Sequence, residues 1–341
     1  MHKGIAIIFV LFFSFLAHGQ KETTPKIGGM TLMAPPRPFI KDPMPELTKI
    51  NVGWVAVVPY SFTPGNQSRV IFGNDHTWWG ESPKGIEETI KLAKQNGLNV
   101  MLKPQVWVHG SWIGDLKYSS NKEWEEWESG YREYILTHAR IAEKYKVELL
   151  CIGTEIRHSI QDRNAFWRKL IKEIRSVYSG KLTYCANWDD YEKIDIWDAL
   201  DYIGISAYFP LLEKSKPSTE DLMKAWQPIQ KKLKTVSEKF GKQILFAEYG
   251  YLSVDGCTWN TWELEKIKHT IPNNELAQSN AIECLLGAFC DAKYWAGGFL
   301  WKWFPHGYGH KSSKNNDYTP QGKVAEETLK KWYGEFLETD N

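Results

Sequence analysis

Short apolar runs alternate with amphipathic stretches along most of the chain. Eight of the runs read as strands, at 29–34, 54–59, 99–106, 148–153, 182–186, 202–207, 243–247 and 297–301. Between them the apolar positions recur at helical spacing. Residues 84–96 carry the apolar Ile86, Ile90, Leu92 and Ala93 and meet Gly97 as a stop. Residues 123–145 and 164–178 are amphipathic, and 219–240 opens on Ser218-x-x-Asp221, a capping-box pattern, and ends before Gly241. Residues 275–293 and 321–337 complete the helices. Strand–helix alternation implies a parallel sheet. Eight such units in this length predict an α/β protein with one (β/α)8 TIM barrel. A doubly wound open sheet is the alternative, but Gly28-Gly29 precede the first strand and form no G-x-G-x-x-G turn after it. No repeat, linker or low-complexity segment divides the chain.

The start of the chain breaks the pattern. Met1-His2-Lys3 leads into an apolar stretch from Gly4 to Ala17, and Ala17-His18-Gly19 before Gln20 matches a signal-peptide cleavage site. The expectation is a signal peptide over 1–19, a catalytic domain over 20–341, and export to the periplasm or beyond. The stretch is short for a membrane anchor and no second one follows, so no membrane span is expected. With no Cys just after the site, no lipid anchor is expected either.

Composition narrows the partners. The chain has 341 residues, with 42 Lys+Arg against 41 Asp+Glu. That balance, without a basic run, argues against nucleic acid and anionic membranes. Its 17 Trp, 16 Tyr and 15 Phe exclude disorder and must be either core or a platform for flat ligands, sugars first among them. Five cysteines, Cys151, Cys185, Cys257, Cys284 and Cys290, offer neither a disulfide framework nor a zinc signature. Cys151 and Cys185 read as buried thiols, and Cys257 reads as an exposed loop position. No metal, no cofactor and a monomer are expected.

In a barrel the chemistry lies at the C-terminal ends of the strands. Those ends here are Pro59-Tyr60-Ser61, Lys103-Pro104-Gln105-Val106-Trp107, Gly153-Thr154-Glu155, Asn187-Trp188-Asp189-Asp190, Ser206-Ala207-Tyr208-Phe209-Pro210, Glu248-Tyr249-Gly250-Tyr251 and Trp301-Lys302-Trp303. Polar and aromatic groups gather at one rim, the layout of a carbohydrate cleft. Glu155 and Glu248 are each the first acid after an apolar strand, the fourth and the seventh. A carboxylate there is costly unless partnered or used. Glycosidic hydrolysis needs two carboxyl groups, one bearing a proton for the leaving oxygen and one ionised toward the anomeric carbon. Either Glu alone would read as a salt bridge or a loop hydrogen bond.

Four blocks make the pattern more specific: Cys151-Ile152-Gly153-Thr154-Glu155, Leu182–Trp188, Asp201–Leu211 and Phe246–Tyr251. Together with Lys103–Trp107 they resemble glycoside hydrolase family 113, over about Lys26 to the C-terminus. The resemblance implies a retaining (β/α)8 glycosidase similar to β-mannanases that act on β-1,4-linked mannose. It implies Glu155 as general acid/base, Glu248 as nucleophile and Tyr208 as a hydrogen-bond donor to the nucleophile. Trp301 would be the aromatic floor at the cleavage point, with Asn187, Lys103 and Gln105 as binders of sugar hydroxyls. The wider clan places Asn directly before the acid/base. This chain has Thr154, as family 113 leads one to expect, which leaves open what meets the 2-hydroxyl.

Other positions carry less. Trp78, beside Trp79 in the loop after the second strand, is a candidate further subsite, or else part of that loop's own small core. His109 reads as a cleft residue or a satisfied structural histidine, and Lys302 as a rim charge. Glu123, Glu125, Glu126 and Glu128, interleaved with Trp124 and Trp127, read as a solvated helix face. The expected substrate is a β-linked polysaccharide or oligosaccharide. The alternatives are another β-linked glycan, since fold alone does not fix substrate, or a non-catalytic carbohydrate-binding barrel. Paired carboxylates predict activity lost in acid as Glu248 is protonated and in base as Glu155 is deprotonated.

Overall fold

The computed structural model describes residues 26–338 except 66, 75–76 and 309–314. The expected signal peptide lies outside the described residues. In chain order the elements are β1 (Ile27–Leu32), α1 (Met44–Thr48), β2 (Trp54–Val57), β3 (Tyr60–Thr63), α2 (Pro83–Gln95), β4 (Asn99–Leu102) and β5 (Gln105–Val108). They continue with α3 (Asn121–Lys144), β6 (Leu149–Thr154), α4 (Arg157–Asp162), α5 (Asn164–Val177), β7 (Lys181–Asn187), β8 (Tyr202–Ser206) and α6 (Thr219–Phe240). The last are β9 (Gln243–Tyr249), α7 (Thr261–Ile267), α8 (Glu275–Phe289), β10 (Trp295–Trp303) and α9 (Val324–Glu338).

Eight of the strands close a barrel in the order β1-β10-β9-β8-β7-β6-β4-β2, every pair parallel. All eight expected strands are present and the fold is the expected (β/α)8 barrel. The expected strand 99–106 is broken in two. The regular strand stops at Leu102 and restarts at Gln105 across Pro104, which has no N–H, although the Lys103 N–H still donates to the Val57 carbonyl at 2.8 Å and the Gln105 N–H to the Pro59 carbonyl at 2.9 Å. The restarted segment, β5, leaves the barrel and pairs in parallel with β3, from Tyr60 opposite Gln105 to Thr63 opposite Val108. Pro59 ends β2 in the same way. The result is a two-stranded flap above the barrel mouth, and it carries Tyr60, Gln105 and Trp107.

Both faces of each barrel strand are buried, as a parallel sheet wrapped by helices requires. Ala56, Met101, Leu149, Cys151, Cys185, Leu245, Ala247 and Phe299 fill the interior. The alternate positions, such as Leu150, Ile152, Leu182, Ile203, Ile244 and Phe246, pack outward against the helices. Trp127, Trp167, Trp197, Trp226 and Trp295 are wholly buried, so much of the aromatic richness is core. At Gly29 a Cβ would stand 2.4 Å from the Phe299 ring and 2.9 Å from the Gly298 carbonyl oxygen. The Gly28-Gly29 pair therefore serves packing at the barrel wall.

Helix ends follow their sequence signals. Ser218 and Asp221 make the capping box of α6, and Gly241 closes it at φ +63°. On α3, Trp124, Trp127, Glu128 and Tyr131 share the inner face at i, i+3, i+4 and i+7. Glu128 is thus buried rather than solvated, and Arg163 pairs with it through Nε at 2.6 Å and Nη2 at 3.2 Å. Glu125 and Glu126 are exposed as expected. Cys151 and Cys185 are buried thiols inside the barrel, but Cys257 is buried too, contrary to expectation. No helix of the described residues is long and apolar enough to cross a membrane.

Candidate active site

The C-terminal strand ends converge on a cleft of about 640 Å³ whose lining includes Glu155, Asn187, Tyr208, Glu248 and Trp301. Five of the eight expected site residues are therefore in one place. Lys103 and Gln105 stand behind Glu248, and Trp78 opens onto a second cleft that shares Trp301.

Glu248 lies in β9 with its side chain only 13% exposed. Tyr208, just past β8, donates its hydroxyl to Oε1 at 2.7 Å. Lys103 Nζ donates to Oε2 at 2.5 Å, and Gln105 Nε2 reaches the same oxygen at 3.5 Å. Two neutral donors and an ammonium thus point their hydrogens at this one carboxylate. Lys103 is wholly buried, with its head group on Glu248, so it presents nothing to a sugar in the cleft and differs from the expectation for it. Burial opposes its charge. The surrounding Cys185, Glu248 and Cys151 side chains outweigh that and hold it above the ordinary lysine range. Burial, followed by the charge on Glu248, pushes the Tyr208 phenol well up, which keeps it a donor.

Glu155 follows β6 in a left-handed conformation, φ +55°, which few non-glycine residues adopt and which tends to mark functional positions. Its N–H donates to the Cys185 carbonyl at 2.8 Å, and the next N–H, of Ile156, donates to Tyr184 Oη at 2.8 Å. These bonds hold the turn. Trp112 Nε1 donates to Glu155 Oε2 at 2.7 Å. Burial, then the charge on Glu248, raises the Glu155 pKa above the ordinary carboxylate value; hydrogen bonds from Ser206 and Trp112 and the charge on Lys103 reduce the shift without cancelling it. One carboxyl group is thus pushed toward its protonated form, while the other is surrounded by donors to its ionised form. That difference suits an acid and a nucleophile.

The structure adds residues without a sequence signal. Arg157 stacks its guanidinium 4.8 Å over the Trp112 ring and pairs with Asp189 at 2.6 Å and Asp190 at 3.0 Å. Asp189 in turn accepts from Asn187 Nδ2 at 2.9 Å. Trp188 stacks on Trp262 of α7, rings 5.6 Å apart and 17° from parallel, and both line the cleft. Lys302 lines it too and pairs with Asp317 at 3.4 Å, so it belongs to the site rather than to the outer rim. His109 packs edge-on against Trp107 and Phe62, in a ring cluster. Trp79 packs against Phe39 as loop core, while Trp78 is 52% exposed at the second cleft. No cluster of metal-ligating residues occurs among the described residues.

Comparison with known proteins places this geometry. The profile of Glycoside Hydrolase Family 113 matches residues 37–323. The fold is similar to a family 113 β-mannanase from Alicyclobacillus acidocaldarius in complex with ManMIm, at 25% identity and a TM-score of 0.81, covering 93% of this chain and 100% of that one. A complex of another family 113 β-1,4-mannanase is 26% identical with a TM-score of 0.78, covering 91% and 99%. A Ruminococcus gnavus β-glucuronidase shares the fold alone, at 13% identity and a TM-score of 0.59, covering 89% of this chain and 49% of that one. No curated protein matches the chain. With the profile spanning most of its length, the chain belongs to glycoside hydrolase family 113, and it is a glycoside hydrolase.

Proposed function

We propose that this glycoside hydrolase cleaves β-1,4-linked mannan or manno-oligosaccharides with retention, through a covalent glycosyl-enzyme on Glu248. The observation that carries the reading is the opposed environment of two carboxyl groups in one cleft. Tyr208 and Lys103 donate to Glu248, while Glu155 is raised in pKa. The choice of sugar is supported by the family 113 β-mannanases that the chain resembles in structure.

In the first step a Glu248 oxygen attacks the anomeric carbon as the glycosidic bond breaks, and Glu155 gives its proton to the departing oxygen. The products are an ester on Glu248, a carboxylate on Glu155 and a free sugar alcohol. In the second step Glu155 takes a proton from water, the water oxygen attacks the anomeric carbon, and the ester bond breaks to restore Glu248. Trp301 offers an aromatic face to the sugar's C–H surface. The N-terminal pattern supports export before this chemistry takes place.

Hydrolysis of β-1,4-manno-oligosaccharides by wild type and by Glu248→Ala, followed by proton NMR of the first-formed anomer, tests the reading. Initial β-anomer from wild type alone is expected. An initial α-anomer would overturn retention, and turnover of cello- or xylo-oligosaccharides instead would overturn the choice of sugar.

A further inference from the structure

Lys323, in the turn before α9, is a buried lysine outside the active-site cleft. Its ammonium meets three neutral acceptors: Ser253 Oγ at 2.9 Å, Asn315 Oδ1 at 3.1 Å and the Asp317 carbonyl at 2.9 Å. Burial pulls its pKa down to about 8, and the charges on Asp317 and Glu275 oppose that shift without cancelling it. Keeping an ammonium there costs free energy.

The acceptors gather one segment, Asn315–Tyr318. Ser253 Oγ donates to the Asn315 carbonyl at 2.8 Å, and the Asp317 N–H donates to Asn315 Oδ1 at 3.0 Å. Gln278 of α8, wholly buried, donates Nε2 to the Tyr318 carbonyl at 2.9 Å. The segment is thus held from its inner side, with Lys323 at the centre of the bonds.

The same segment forms part of the cleft wall. Tyr318 lines the cleft and sets its ring edge-on to Tyr208, centroids 6.0 Å apart and planes at 68°. Tyr208 in turn donates to Glu248 Oε1 at 2.7 Å. At Gly250, just past β9, a Cβ would stand 2.6 Å from the Trp301 carbonyl oxygen and 3.3 Å from the Tyr318 ring. Tyr318 is therefore packed both on Tyr208 and on the chain that carries Glu248. The Asp317 carboxylate pairs with Lys302, another cleft residue, at 3.4 Å. A small displacement of a group that orients a reacting atom is expensive in rate.

We propose that Lys323 is a positioning residue for Glu248: by clamping Asn315–Tyr318 it seats the Tyr318 ring against Tyr208 and keeps the Tyr208 hydroxyl on the carboxylate. The inference rests on the proposed role of Glu248.

The test is a double-mutant cycle of Lys323→Met with Tyr208→Phe, read as kcat and KM on mannopentaose, with the fold of each variant checked by circular dichroism. If wild type leaves mannopentaose intact, the cycle is run on the β-linked oligosaccharide that it does cleave, so failure of the sugar reading leaves this test in place. Lys323→Met alone is expected to lower kcat about tenfold and to move KM by less than about twofold. In the Tyr208→Phe background no hydroxyl remains to be placed, and the same substitution should lower kcat by less than about twofold. A merely structural role lowers kcat by one factor in both backgrounds, and that result would overturn the inference, as would an unchanged kcat in Lys323→Met. Should Lys323→Met not fold, Ser253→Ala leaves the ammonium one acceptor short and enters the same cycle. A loss of about threefold in wild type and none in Tyr208→Phe is then expected, and equal losses overturn the inference. An unchanged kcat in Tyr208→Phe itself would overturn the reading of Tyr208 and Glu248, and this inference with it.

Discussion

Lys103 Nζ lies 2.5 Å from Glu248 Oε2, a wholly buried ammonium against the one carboxylate that Tyr208 also holds. The ammonium sits within the barrel mouth and fixes Glu248 from behind, away from the face a sugar would meet. A buried pair of this kind stabilises little by itself, but removing one partner leaves the other uncompensated. Lys103→Met, which keeps the carbon stem, should cost about 3 kcal/mol of stability. It should also lower kcat by at least about tenfold. Denaturant melts and steady-state kinetics read both effects, and an unchanged kcat would contradict the positioning role.

Tyr208→Phe removes the 2.7 Å bond to Glu248 Oε1 and nothing else of similar strength. A hydrogen bond to a charged group contributes about 1.5–3 kcal/mol. We expect kcat to fall by about ten- to a hundredfold and the melting temperature to fall by several degrees. A loss of stability with kcat unchanged would show a packing role instead.

The Trp112 indole donates to Glu155 Oε2, and such a bond favours the carboxylate. Its removal in Trp112→Phe should raise the Glu155 pKa further. In its proposed role as proton donor, Glu155 works below its pKa and loses function above it, so the basic limb of kcat/KM should move to higher pH. A shift to lower pH in the measured profile would exclude this assignment.

Glu155→Gln should trade activity for stability. Because the folded-state pKa is raised, mainly by burial, Glu155 weakens the fold as pH rises through the ordinary carboxylate value, and most strongly above its own folded pKa. The variant should melt at higher temperature than wild type at pH 8, with the gap closing near pH 4 where the wild-type group is protonated. Melting curves at the two pH values check the sign.

The two glutamates were legible in the sequence because each is the first acid after an apolar strand, and a barrel places such positions at one rim. The break at Pro104 was equally written in the chain, yet the run 99–106 concealed it, since apolar character continues across the proline while the regular barrel strand does not. Glu128 also had a local signal, four residues after Trp124 on the buried face of α3, and the acidic neighbours masked it. Trp112, Arg157 and Trp262 had none. They come from the loop before residue 113, from α4 and from α7, far apart in sequence, and their meeting depends on how the barrel closes. Lys103 was found by resemblance, but its role was not, because burial of its whole side chain is a property of the assembled mouth.

The most direct test of the central claim is to trap the covalent intermediate. Wild-type enzyme treated with a 2-deoxy-2-fluoro-mannosyl fluoride, digested and analysed by mass spectrometry, should carry the sugar on the peptide containing Glu248, and Glu248→Ala should carry none. A sugar attached to the peptide containing Glu155, or inactivation without any adduct, would contradict the account.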